Sequence, residues 1–262
     1  MRKSIILVLL VAHLLVVGCA EDSVEKELCS NELYSTEVRE MDGVSYVALD
    51  VESQNTLEEN IIDSGDSELE KLSDLDCLEK LRLWQLHVED LSAITELENL
   101  KNLNLGNTPV EDISPLSNLE ELENLYLGHT RVSDVSPLEN LTELKELNLW
   151  NTKVSDIFAL SELDKIEWLS LSGTDVKEIS SLSGMENLKR LYLSDTQVSD
   201  ISSLTQLEEL ENVYLTNTRV TDVSLFFEHE GLQEVDLRGT NVSEEDCKGL
   251  KEKLEEATIM CP

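Results

Sequence analysis

A 22-residue pattern recurs along most of this 262-residue chain and constrains its fold more than any other feature. The clearest copy runs from Leu100 to Glu121 and reads LKNLNLGNTPVEDISPLSNLEE. Other copies follow in steps of 22 residues, beginning at Leu122, Leu144, Ile166, Leu188, Leu210 and Leu232, with a looser one at Leu78. A unit of about 20 to 29 residues cannot bury an apolar face alone, so such a repeat is typical of a solenoid.

Each copy begins with a pattern that predicts a short strand. Leu103 and Leu105 are two residues apart, and this alternation places both side chains on one face of a strand. The equivalent positions are apolar in all eight copies. Eight or nine parallel strands, stacked about 4.8 Å apart, would form a slab roughly 40 Å long.

Two polar columns follow the strand. Thr recurs at the position of Thr108, where its hydroxyl can bond backbone groups that the turning chain leaves unpaired. Acidic residues recur four positions later, as Asp90, Asp112, Asp134, Asp156, Glu178, Asp200 and Asp222. We interpret this column as turn capping, because it lacks the Gly-rich, densely acidic spacing of calcium-binding coils. Ser114 and Pro115 then form a helix-start signal, with Ser as the N-cap, although only a short 3₁₀ or irregular turn fits there.

The full pattern L-x-x-L-x-L-x-x-T-x-V-x-D-I-x-P-L-x-x-L, best seen at 100–119 and 122–141, resembles the 22-residue leucine-rich repeat of bacterial internalins. The resemblance covers about 78–242. It implies an α/β fold, a gently curved right-handed leucine-rich repeat solenoid with a parallel β-sheet on its concave face and a short 3₁₀ or irregular convex side. In the seventh copy His229 falls where Leu119 falls in the second. We interpret His229 as an adjustment to the C-terminal cap.

The outward strand positions carry the functional signal. We term them the open sheet face, which comprises the four columns, 32 positions in all, equivalent to Asn102, Asn104, Gly106 and Asn107. Six of the eight Trp and Tyr residues fall in these columns, and such residues dominate binding hot spots. The predicted ligand-binding residues are Tyr126, His129, Trp150, Trp168, Arg190, Tyr192 and Tyr214. The alternative is that large rings only cover the sheet and pack against one another.

Charge and motifs limit the function classes. The chain has 20 Lys and Arg against 55 Asp and Glu, a net charge of −35, which argues against nucleic acid and anionic membrane surfaces as partners. We find no Ser/His/Asp or Cys/His arrangement, no metal-binding cluster and no phosphate loop, and we predict no enzyme, metal or cofactor. The hypothesis is a monomeric, non-catalytic module that binds a protein or peptide. Glycan binding by the same aromatics is the alternative.

The N-terminus has the features of an export signal. Arg2 and Lys3 precede an apolar run from Ile5 to Val17, too short for a transmembrane helix. The run ends in Val16–Cys19, VVGC, which resembles the lipobox of bacterial lipoproteins and implies lipid attachment at Cys19. We predict an exported protein that is lipid-anchored in the cell envelope, in the outer membrane if the organism has one. An ordinary signal peptide is the alternative.

Four cysteines follow Cys19, and an even number in an oxidising compartment suggests disulfides. Of three possible connectivities we favour Cys29–Cys77 and Cys247–Cys261, because each pair lies at one end of the solenoid. The alternative, metal binding, would require ligand spacing such as CxxC or a neighbouring His, which the sequence does not have.

The sequence predicts five segments. They are a signal peptide at 1–18, a tether and the start of an N-terminal cap at 19–43, the cap or degenerate repeat at 44–77, leucine-rich repeats at 78–242 and a C-terminal cap at 243–262. Val44 to Leu49 fits the strand pattern of the repeats, so 44–77 reads as a degenerate first coil. Ser243 to Asp246 matches an S-x-x-D helix start, with Cys247, Leu250, Leu254 and Ala257 following at helical spacing.

Overall fold

The computed structural model describes residues 78–262 and, before them, three strands. The strands in chain order are β1 Tyr34–Met41, β2 Val44–Val51, β3 Ile61–Ile62, β4 Lys80–Arg82, β5 Asn102–Asn104, β6 Asn124–Tyr126, β7 Glu146–Asn148, β8 Trp168–Ser170, β9 Arg190–Tyr192, β10 Asn212–Tyr214, β11 Glu234–Asp236 and β12 Thr258–Met260. They form one sheet in the order β12-β11-β10-β9-β8-β7-β6-β5-β4-β1-β2-β3. Strands β4 to β12 run parallel, which confirms the predicted solenoid sheet.

The 22-residue period becomes the register of the sheet. Leu103 pairs with Leu81 on one side and with Leu125 on the other. Leu103 and Leu105 are both fully buried, and the equivalent residues of the other coils are buried with them. Each coil therefore adds one layer to a single continuous core, as the sequence pattern predicts.

Short 3₁₀ helices connect successive strands. They span Ser92–Ile94, Ser114–Leu116, Ser136–Leu138, Phe158–Leu160, Ser180–Gly184, Ser202–Gln206 and Ser224–Glu228. Asp112 Oδ1 accepts the N–H of Ser114 at 2.8 Å, and five other coils repeat this bond, which confirms the interpretation of the Asp column as turn capping. The bond lowers the pKa of Asp112. The prediction of Ser114 as N-cap is wrong, because Ser114 is itself the first helical residue, the N-cap position falls on Ile113, and no side chain caps the helix there.

The Thr column has the predicted backbone role. Thr152 is buried, and its hydroxyl donates to the carbonyl of Leu149 at 2.8 Å. Six other coils repeat the bond at 2.6 to 2.8 Å. The hydroxyl satisfies a carbonyl that the turn after each strand leaves inside the protein.

The N-terminal strands differ from the predicted degenerate coil. Val44–Val51 is a strand, but it runs antiparallel to β1, and β1 is the strand that pairs in parallel with β4. Two residues, Asp42 and Gly43, connect β1 to β2, and a link that short permits only an antiparallel pair. Cys19, Cys29 and Cys77 lie outside the described residues, so the anchor and the first disulfide stay predictions.

The C-terminal cap matches its predicted start and differs at its end. The helix α1 spans Glu244–Lys253, and the hydroxyl of Ser243 accepts the N–H of Asp246 at 3.0 Å. Cys247 is joined by a disulfide to Cys261, as the sequence favoured. Ala257 lies beyond the helix, because α1 ends before Leu254 and the chain continues into β12. No helix in the described part of the chain has the length and apolar character needed to cross a membrane.

Candidate functional site

Strand alternation places the predicted aromatic residues on the open sheet face. Tyr192 and Arg190 flank Leu191, which is fully buried, so their side chains leave the sheet on the opposite side from the core. The same pattern holds in β6, β8 and β10, where one buried residue separates two partly exposed or small ones.

Three of these residues form a stack that we term the aromatic ladder: Trp168, Tyr192 and Tyr214. The ring centroids of Tyr192 and Tyr214 are 4.5 Å apart, with an interplanar angle of 10°. Those of Trp168 and Tyr192 are 5.3 Å apart, at 49°. Neighbouring strands lie about 4.8 Å apart, close to ring-stacking distance, so Tyr192 and Tyr214, which are in register on β9 and β10, stack directly. Trp168 is in register with Arg190 and reaches Tyr192 along the diagonal between β8 and β9. The contacts within the ladder are those of the packing alternative, in which rings pack against one another, and ligand binding by these residues stays a prediction.

Glutamates of the next coil hold two tyrosine hydroxyls. The Tyr214 hydroxyl donates to Glu234 Oε2 at 2.8 Å, and that of Tyr126 donates to Glu146 Oε2. Burial, followed by these hydrogen bonds, raises the pKa of both tyrosines. Two acids of the open sheet face therefore serve to orient rings.

Trp150 is the most exposed of the predicted aromatic residues, with 48% of its surface accessible. The ring of His129 meets it edge-on, with centroids 4.1 Å apart and an angle of 73°. His129 Nδ1 is 2.6 Å from the Asn151 side-chain nitrogen, which can donate to it. Trp150 is thus supported on one side and open to solvent on the other.

Arg190 lies at the start of β9, exposed to solvent, with Trp168 and Asn212 beside it in register. Within the described residues it takes part in no salt bridge. Its guanidinium can therefore offer hydrogen-bond donors to a ligand next to the aromatic ladder.

One of the four columns has a structural constraint that the sequence analysis did not identify. Its residues have positive φ in every coil: Gln85, Asn107, His129, Asn151, Gly173, Asp195, Asn217 and Gly239. The turn after each strand requires the left-handed region, which Gly, Asn, Asp and His adopt most readily. The recurrence of Gly, Asn, Asp and His in this column is the sequence signal that could have predicted the positive φ. The identity of His129 therefore has a backbone explanation, besides any contact with ligand.

A second column contributes caps as well as rings. Asn104 Oδ1 accepts the N–H of Gly106 at 3.0 Å, and Asn148 Oδ1 accepts the N–H of Trp150 at 2.9 Å. Tyr192 and Tyr214 occupy the same column. In those coils a tyrosine occupies the position at which Asn104 and Asn148 cap the turn. The ring offers contact area on the surface in place of that backbone hydrogen bond.

The open sheet face is electrically neutral within a strongly acidic protein. Its 32 positions hold four basic residues and four acidic ones, whereas the whole chain has a net charge of −35. Asp236, which is 3% exposed, is paired with Arg238 at 2.6 Å. Burial raises the pKa of Asp236, but the hydrogen bonds from Arg238 outweigh it, and the net pKa is below the usual value.

A ladder of ion pairs, which the sequence analysis missed, runs beside this face. Immediately before each strand the chain alternates Glu and Lys at 22-residue intervals, from Glu79 to Glu211. The three Lys residues each pair with the Glu of the preceding coil, as Lys101 with Glu79 at 2.6 Å, Lys145 with Glu123 at 2.8 Å and Lys189 with Glu167 at 2.8 Å. Exposed pairs of this kind contribute little to stability, but they neutralise the border of the open sheet face.

Residues that could hold a metal are not grouped together in the part of the chain described. Among those residues, no three His, Cys, Asp or Glu side chains are placed to share an ion.

Comparisons with known proteins bear on the fold. The family model for leucine-rich repeats, in two copies, matches residues 120–165 and 164–206. The chain is similar to internalin C2 of Listeria monocytogenes, with 24% identity and a TM-score of 0.62, over 69% of this chain and 86% of that one. A leucine-rich repeat protein of Leptospira interrogans is similar at 18% identity and a TM-score of 0.57, over 72% and 62%.

A plant protein has a similar fold. The ectodomain of the receptor kinase GASSHO1/SCHENGEN3 of Arabidopsis thaliana, in complex with CASPARIAN STRIP INTEGRITY FACTOR 2, is 22% identical with a TM-score of 0.59. The likeness covers 66% of this chain and 22% of the ectodomain. None of the curated proteins compared with the chain matches its sequence. At these identities the likenesses show the fold alone.

Proposed function

We propose that this leucine-rich repeat solenoid is a non-catalytic binding module that holds a protein or peptide on its open sheet face. The observation that carries the proposal is the aromatic ladder of Trp168, Tyr192 and Tyr214, which crosses three coils. The same surface also includes the exposed Trp150 and, at the start of β9, Arg190. Tyr, Trp and Arg are the residue types that dominate protein interfaces.

The geometry of the ladder suits a polypeptide. Tyr192 and Tyr214 are nearly parallel and in contact, so each covers one face of the other and presents its edge to solvent. Such rings offer rigid, amphipathic contact area at a low cost in side-chain entropy, as tyrosines do in antibody binding sites. The hydrogen bond from Tyr214 to Glu234 limits ring motion further.

The charge distribution supports the same surface. Much of the acidic charge lies off the open sheet face, and the four acids on that face accept hydrogen bonds from Tyr126, Tyr214, Arg238 and, for the exposed Asp195, the Asn217 side chain. A partner that docks there need not desolvate unpaired carboxylates, which would be costly. The acidic remainder of the chain maintains solubility and would favour approach by a basic partner.

Glycan binding is the second candidate, and Trp150 is the residue that favours it. Stacking of a sugar requires an accessible ring face, and Trp150 is 48% exposed. The mutual stacking of Tyr192 and Tyr214 removes two ring faces from such use. The protein or peptide ligand is therefore the better supported of the two.

Localisation is part of the proposal. We infer export and lipid attachment at Cys19 from the sequence of Met1 to Cys19, in keeping with a binding module displayed at the cell envelope. Metabolic labelling with a fatty-acid analogue tests the anchor. The label should appear in the wild type and be lost in Cys19→Ser. Label that persists in Cys19→Ser would contradict the anchor.

Binding is tested by cross-linking pull-down from the native envelope with matched variants. Trp150→Ala/Trp168→Ala removes two rings from the open sheet face, whereas Phe158→Ala removes a ring that is 76% exposed on a 3₁₀ helix. The proposal predicts one protein partner that the double variant loses and the Phe158 variant keeps. Isolated cell-wall polysaccharide that binds the wild type but not the double variant would favour the glycan. A partner retained by the double variant and lost with Phe158 would overturn the site.

A further inference from the structure

His229 occupies a position that is apolar in every other described coil. Its equivalents are Leu97, Leu119, Leu141, Leu163, Met185 and Leu207, all fully buried. His229 is itself only 6% exposed. It follows the last 3₁₀ helix, Ser224–Glu228, against which α1 packs. The last complete coil of the solenoid therefore places a titratable ring in the core column.

The ring is only half satisfied. Its Nε2 atom is buried and has no hydrogen-bond partner among the described residues, while the ring hydrogen-bonds the backbone of Leu204 in the preceding coil. The nearest ring is that of Phe226, which is fully buried, with centroids 6.4 Å apart. A neutral imidazole tolerates this arrangement, because an unprotonated nitrogen carries no hydrogen that needs an acceptor.

Protonation would change that balance. It would place an N–H without an acceptor and a positive charge among apolar side chains, and burying either is costly. Burial accordingly lowers the pKa of His229, although the hydrogen bond with Leu204 and the charge of Glu208 act in the opposite direction.

The charged groups around His229 offer it little compensation. Glu208 belongs to the preceding coil, and Glu228 and Glu230 are exposed neighbours in the chain. On α1, Lys248 and Glu252 pair with each other at 3.6 Å. Among the described residues, His229 forms no ion pair with a carboxylate.

We propose that His229 is an acid-sensitive latch for the C-terminal end of the solenoid. When its ring is protonated it leaves the core, and the segment 224–262 opens while the preceding coils stay folded. The position in the chain favours local opening, because each coil is held mainly by its neighbours and only β11, α1 and β12 follow this one. Glu234 lies in this segment and accepts the hydroxyl of Tyr214, so opening would also loosen one end of the aromatic ladder.

The direction of the pH dependence follows from linkage. The ordinary pKa of the side chain is 6.5, and its value in the folded protein is lower. The stability that depends on a neutral His229 is thus present above pH 6.5 and is lost as the pH falls below it. One pH unit lower, the unfolded side chain is mostly protonated, and this sets an upper bound of about tenfold on the increase in the unfolding equilibrium constant.

The test is urea unfolding of the wild type, His229→Leu and His129→Asn at about pH 7.5 and about pH 5.5. The residue introduced at 229 is the one that most other coils carry, so the variant should fold. We expect the ratio of the wild-type to the His229→Leu unfolding constant to rise up to about tenfold between the two pH values. His129 lies on the open sheet face, and His129→Asn should follow the wild type. Protonation of carboxylates at the lower pH affects all three proteins alike, so it cancels in the ratio of their unfolding constants.

A ratio that is the same at both pH values would overturn the proposal. Hydrogen exchange of the wild type alone provides an independent check that needs no substitution. After correction for intrinsic exchange, opening of peptides from 224–262 should increase at the lower pH, while peptides from 100–170 stay unchanged. A uniform change along the chain would contradict a local latch.

Discussion

The phenol ring of Tyr214 stacks on that of Tyr192, with centroids 4.5 Å apart and planes within 10° of each other, while the Tyr214 hydroxyl is held by Glu234. Three consecutive strands, β9, β10 and β11, thereby build one surface feature from one residue each. The parallel register of the sheet thus brings into contact side chains that differ from coil to coil.

The stack should be measurable as a coupling energy. In a double-mutant cycle with Tyr192→Ala and Tyr214→Ala, the two substitutions should couple by about 0.5–1.5 kcal/mol in the free energy of unfolding, as contacting aromatic pairs do. Urea unfolding of the four proteins gives the value. Additive effects, within experimental error, would mean that the rings do not support each other in solution.

The positive φ of Asn107 predicts an unusual order of substitutions. Asn107→Gly should be nearly neutral, whereas Asn107→Ala should lower the free energy of unfolding by about 1–2 kcal/mol, because Ala is strained at a φ of 58°. Asn118→Ala is the control, since Asn118 is also exposed but its φ is not positive. Equal stabilities of the Gly and Ala variants at 107 would contradict the assignment of this column to the turn.

The Thr column should contribute through its hydroxyl. Thr152→Val keeps the shape of the side chain but leaves the buried Leu149 carbonyl without its donor, so we expect a loss of about 1–3 kcal/mol in unfolding free energy. Thr205 donates to Ser202 at 2.7 Å on the exposed surface, where water can replace it, and Thr205→Val should cost less than about 0.5 kcal/mol. The account fails for this column if the two substitutions are equally costly.

The disulfide should stabilise the C-terminal cap. Cys247 and Cys261 are 14 residues apart, and closing a loop of that length contributes about 3 kcal/mol in the chain-entropy description. Cys247→Ser/Cys261→Ser should therefore lower the midpoint of thermal unfolding, and a reductant should lower that of the wild type to match. An unchanged midpoint in the double variant would show that α1 and β12 are held by packing alone.

Much of the fold could be predicted because its determinants are local and repeated. The spacing of Leu103 and Leu105 predicts a strand with one buried face, and the repeat of 22 residues brings equivalent strands into register. Ser243 predicts the start of α1 for the same reason, since a cap and its partner are three residues apart. The connection by Asp42 and Gly43 was an equally local signal, for a hairpin, that the interpretation as a degenerate coil overlooked.

The candidate site could be predicted only in part. The open sheet face follows from alternation, so Tyr192 and Trp168 were placed correctly. Contacts between coils, such as Tyr126 with Glu146, join residues 20 positions apart and depend on the register and side-chain conformations together. The role of Asn107 depends on a backbone angle that several residue types can adopt. A pattern of single residues does not contain that information.

Site-specific photo-cross-linking tests the central claim, that the open sheet face holds a protein or peptide partner, most directly. A photoreactive residue at Ser194, which follows Tyr192 on this face, is compared with one at Ser180, exposed at the start of a 3₁₀ helix. Irradiation in the native envelope should give a covalent adduct with a partner protein from position 194, and position 180 should give none. An adduct from position 180 with none from position 194 would contradict the account.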